Sequence, residues 1–91
     1  MKYNIKGTDY ELKYSIRAMM MYENITGESF NPVNLTNILT FFYCIVVSSS
    51  KDYSYSFDEF IDNLDENPNI LEELTKWMIS VNNTTNLVKK N

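Results

Sequence analysis

Residues 38–47 read ILTFFYCIVV, the longest apolar stretch in the chain, and the way it packs decides the fold. Its ten residues, Thr40 among them, fall well short of the roughly 20 that a membrane span needs. The stretch is therefore expected inside a protein core. Leu35, Ile38, Leu39, Phe42, Ile45 and Val46 recur at the spacing of one helix face. Phe41, Tyr43 and Val47 add apolar groups on the other side, so this helix, predicted over about 32–48, is apolar most of the way round and central. Asn31-Pro32 or Asn34 opens it, since Asn caps a helix well and Pro is tolerated in the first turn.

Upstream, residues 2–14 alternate in period two, with Tyr3 and Ile5, then Tyr10, Leu12 and Tyr14, set between Lys, Asp and Glu. Lys6-Gly7 sits where a tight turn needs positive φ, which predicts a β-hairpin. A lone hairpin is marginal in water, so it must lean on helices. Ser15 caps a helix over about 15–26, and Gly27 is placed to end it in the left-handed conformation.

Downstream, the polar run SSSKDYSYS at 48–56 breaks the chain but is too short to separate two domains. Ser56-x-x-Glu59 has the form of a capping box and opens a helix over 57–66, with Phe57, Phe60, Ile61 and Leu64 inward. Asn67-Pro68 starts a last helix over about 68–81, carrying Ile70, Leu71, Leu74, Trp77, Met78 and Val81 at helical spacing. Residues 82–91, NNTTNLVKKN, lack periodicity and are expected to fray. The reading is one α+β domain over 1–91, mainly α: a two-stranded hairpin followed by about four helices.

Composition narrows the chemistry. Twelve acids against eight bases give a net charge of −4, which disfavours a nucleic-acid partner held through its phosphates. Asp52, Asp58, Glu59, Asp62, Asp65, Glu66, Glu72 and Glu73 crowd into 52–73 without a lysine or arginine between them. With no histidine, the chain lacks the commonest general base and metal ligand. Its single cysteine, Cys44, lies in the apolar run, where a thiolate is disfavoured. The acids at 58, 62, 65 and 66 follow helical spacing and not the alternation of a calcium loop. No catalytic, cofactor-binding or metal-binding residue is expected, and the chain is not read as an enzyme. The start of the sequence has no apolar signal region, so a cytoplasmic protein without a membrane partner is expected.

What remains is surface. Met19, Met20 and Met21 cannot share one helix face, because neighbours project about 100° apart. Unbranched, polarizable methionines suit adaptable apolar contacts, so Met19, Met20, Met21 and Tyr22 are the candidate partner-facing patch. Phe41 and Tyr43 are possible additions to it. A second possibility is that the acidic 52–73 surface binds a basic protein, as an inhibitor or regulator would.

The order of elements, with YNIKGTDYELKYSI, then RAMMMYENITGESF, then an apolar helix ending FFYCIVVSSS, then SFDEFIDNLDENPNILEELTKWM, resembles the small tail assembly chaperones of long-tailed bacteriophages and prophages. The resemblance spans roughly residues 3–80. Its most specific pieces are Arg17, Tyr22-Glu23 and Thr26-Gly27, and the run Ser56-Phe57-Asp58-Glu59-Phe60. It implies a non-enzymatic role in the host bacterium: binding the long, apolar, helical tape measure protein while tail-tube subunits assemble around it. Self-association and contact with the tube protein are implied too. So is a longer product made by frameshifting, for which the adenine-rich codons of Lys89-Lys90-Asn91 are the place to look.

Overall fold

The computed structural model describes residues 1–29 and 34–89. Its elements run β1 (Lys2–Ile5), β2 (Thr8–Glu11), α1 (Ile16–Thr26), α2 (Leu35–Ser49), α3 (Phe57–Glu66) and α4 (Pro68–Lys89). The chain is mainly helical, with the antiparallel hairpin at its N-terminus as expected. Lys6 and Gly7 both take positive φ, 52° and 85°, the pattern of a two-residue turn matched to strand twist. This turn sets the register Tyr3 to Tyr10 and Lys2 to Glu11, and puts Tyr3, Ile5, Tyr10 and Leu12 on the buried face. The strands stop at Glu11, although the Leu12 N–H still donates to the Met1 carbonyl at 2.8 Å.

Each helix boundary has a local cause. Ser15 Oγ accepts from the Ala18 N–H at 3.1 Å to open α1, and Gly27, at φ 71°, closes it by donating to the Glu23 carbonyl. Asn34 caps α2 by accepting from the Asn37 N–H at 2.8 Å. The earlier start at residue 32 lies outside the described residues. Both bonds of the Ser56 and Glu59 capping box are present at the start of α3. Pro68 then begins α4, whose 22 residues span about 33 Å at about 1.5 Å per residue.

The expectation of a frayed tail is corrected at 82–89, where α4 continues to Lys89. No Gly or Pro stands between Asn69 and Lys89. The weak apolar period there removes a reason to pack but supplies no helix breaker.

The core forms around α2. Phe41, Phe42, Cys44, Ile45 and Val46 are all buried, on more than one side of the helix. Ala18 and Tyr22, four residues apart on α1, cover the Phe41 side, with the Tyr22 and Phe41 rings edge to face at 6.0 Å. Tyr3 and Phe60, 5.6 Å apart, join the hairpin to α3. Asn63 on α3 fixes that joint by donating to Tyr3 Oη at 2.8 Å and to the Asn4 carbonyl at 3.2 Å. Leu74 and Met78 bring α4 onto the same cluster, with Trp77 half-buried against it.

Candidate functional site

α1 turns Ala18 and Tyr22 inward, so the residues on its opposite side meet solvent. Ile16 and Met20, four residues apart there, are 73% and 59% exposed. With Arg17, Met21 and Asn24 they line an open groove of about 500 Å³. Transferring Ile16 and Met20 into an apolar environment is worth about 1.5–3 kcal/mol each before ordering costs are subtracted. Two such groups supply about 3–6 kcal/mol gross, which the cost of association largely offsets, so they anchor a transient contact only with further contacts along the groove.

The structure sorts the three methionines. Met19 and Met21 are half-buried and pack against the core cluster, while Met20 points outward. Two other candidates are corrected. Tyr22 and Phe41 are both 0% exposed and present no side chain to a partner. The reason is the same for both: α1 packs on the second apolar side of α2, and their rings fill that seam. Tyr43 is half-buried and committed to the α2–α3 joint, where its hydroxyl donates to the Tyr55 carbonyl at 3.1 Å and its ring meets Phe57 at 5.4 Å.

Of Arg17, Glu23, Thr26 and Gly27, which carry the resemblance, only Arg17 lies at the groove. The Glu23 carbonyl accepts from Gly27, and the Thr26 hydroxyl donates to the Tyr22 carbonyl at 2.9 Å, so these residues build the end of α1. Ile16 was missed by the sequence reading. The signal was there: with Ser15 as the cap, Ile16 is the first helical residue and falls one turn before Met20, away from Ala18 and Tyr22.

The second candidate surface is acidic. Asp58, Asp62, Asp65 and Glu66 are exposed on α3. Lys6 reaches across from the hairpin turn to Glu59, Nζ to Oε2 3.5 Å, and a cleft of about 140 Å³ lies between Lys6, Glu59, Asp62, Asn63 and Glu66. The Ser56 backbone N–H, and then its hydroxyl and Lys6, hold the Glu59 carboxyl below its ordinary pKa. Burial pushes the Cys44 thiol up to about 11, which leaves it protonated at neutral pH. Among the described residues no cluster of acids and cysteine is arranged to hold a metal ion, and no helix is long and apolar enough to cross a membrane.

Comparison with known proteins returns no match for this chain, whether among family models, curated proteins or solved structures.

Proposed function

We propose that the chain is a phage or prophage tail assembly chaperone, holding an apolar helical segment of the tape measure protein until tube subunits enclose it. The observation that carries the reading is the Ile16 and Met20 face of α1, apolar and exposed within the stretch that resembles the family. Its role is binding and not chemistry, in the cytoplasm of the host bacterium, with contacts to the tube protein and to further copies of itself during assembly. A face with two large apolar groups suits a client that must be released, because affinity grows with each anchor buried.

The test is co-expression with a tape measure protein, comparing wild type, Met20→Lys and the double change Asp62→Lys/Glu66→Lys, with circular dichroism to confirm folding. Loss of the complex in Met20→Lys alone is expected. Loss only with the charge reversal would overturn the reading and favour the second one, an acidic inhibitor of a basic protein, which the exposed carboxylates of α3 support. A gene neighbourhood without tape measure or tube genes would also count against the chaperone.

A further inference from the structure

Arg17 is placed against the ordinary electrostatics of its helix. It is the second residue of α1, and the first turn of α1 carries no acid. A cation there opposes the helix dipole, whose positive end lies at the N-terminus. Among the described residues no carboxylate pairs with it. Its helix neighbours at three and four residues onward are Met20 and Met21. Glu23, the one acid in α1, projects about 120° away around the helix and nearly two turns further along it. Glu11 is engaged by the N-terminal ammonium at 2.9 Å. Arg17 therefore forms no ion pair among the described residues, and it borders the apolar groove.

From this we infer that Arg17 makes the groove selective for an amphipathic helix carrying a carboxylate beside its apolar stripe, an inference that rests on the groove being the helix-binding site proposed above. From Ile16 to Asn24 the groove follows α1 for about 12 Å, or two turns. It fits two apolar side chains three or four residues apart on the partner, with Asp or Glu one turn along to reach the guanidinium, whose planar fork matches a carboxylate. A second copy of this chain, which also exposes Ile25, Leu35 and Ile79, is the competing occupant that the test below separates from a foreign helix.

The chain's overall charge makes the test sharp. At −4, its long-range field favours a basic peptide, so preference for an acidic one must come from the local arrangement. The probes are two fluorescein-labelled synthetic amphipathic helices of about 20 residues with the same leucine stripe, one flanked by Glu and one by Lys, titrated by anisotropy. The Glu peptide should bind wild type roughly three- to tenfold more tightly at low salt, with the gap closing toward about 1 M NaCl. Arg17→Glu should invert the preference, Arg17→Gln abolish it, and Met20→Asp weaken both peptides, circular dichroism confirming that each variant folds. Preference for the Lys peptide, or a preference unmoved by Arg17→Glu, would overturn the role of Arg17 while leaving the groove in place. Binding of neither peptide, or binding indifferent to Met20→Asp, would overturn the groove itself. A dimer lost in Met20→Asp would identify a second copy as the occupant and overturn the inference likewise.

Discussion

Two tyrosines in one aromatic cluster should respond to the same substitution with opposite signs. Tyr53 is 7% exposed, and its hydroxyl has no hydrogen-bond partner among the described residues. Stranding a buried hydroxyl costs about 1–3 kcal/mol. Tyr53→Phe removes that oxygen and keeps the ring, with its neighbours Tyr10 at 5.2 Å, Tyr55 at 5.5 Å and Tyr43 at 6.3 Å. The vacated volume gives back a few tenths of a kcal/mol in lost dispersion contacts, so a net gain of about 1 kcal/mol is expected. Tyr3→Phe removes an oxygen that accepts from Asn63 at 2.8 Å and should cost about 0.5–1.5 kcal/mol. Urea denaturation followed by far-UV circular dichroism reads both changes. With a slope of about 1–3 kcal/mol per molar, a 1 kcal/mol change moves the midpoint by about 0.3–1 M, and thermal midpoints should move by about 4–8 °C. A Tyr53→Phe variant less stable than wild type by more than about 0.5 kcal/mol would refute the reasoning, since it would mean the hydroxyl is bonded.

Gly27→Ala should destabilise by about 1–2 kcal/mol through backbone strain alone: φ is 71°, yet nothing lies within 4 Å of an added Cβ. Gly27→Asn should lose less, and equal losses in thermal melts would point to a cause other than the left-handed backbone. Ser56→Ala breaks the capping box and should cost about 1 kcal/mol, visible as a lower urea midpoint; an unchanged midpoint would show that the box does not hold α3. Stability should also fall in alkali. Cys44 and Tyr3 have folded pKa values raised to about 11 and about 12 by burial, from ordinary values of 9.0 and 10.0. Folding thus favours their neutral forms, so their contribution is intact below pH about 9 and is lost as pH rises through about 11 to 12. Chemical denaturation at intervals from pH 8 to 12 checks this, and a flat profile across that range would contradict it.

How much of this was legible in the sequence varied with the kind of information each feature uses. Caps and turns are local: Ser15, Asn34, Ser56, Gly27 and Lys6-Gly7 each act on backbone within a few residues, and each sits where its chemistry indicated. The inward stripes of α3 and α4 were legible for the same reason, with Phe60, Leu64, Leu74 and Met78 buried. Burial of Phe41 and Tyr22 is not local. Periodicity marks which side of α2 is most apolar, but only the docking of α1 decides that a second side is covered too. The methionine run was half legible. Geometry requires that three consecutive side chains diverge, while which one meets solvent depends on how α1 is rotated about its axis, and Ala18 and Tyr22 set that rotation.

Among the hydrogen bonds of the described residues, those from Asn63 to Tyr3 and Asn4 close long spans of 60 and 59 residues. During synthesis at about 5–20 residues per second, the hairpin can lean on α2 earlier but waits some 3–12 s for the Asn63 joint, longer still by the transit of the ribosomal tunnel. The α1–α2 pair, adjacent in sequence, has no such delay. An N-terminal hairpin made first is in this way among the last pieces to be locked, and Asn63→Ala should leave the helices intact while making the first dozen residues the earliest to exchange their amide hydrogens.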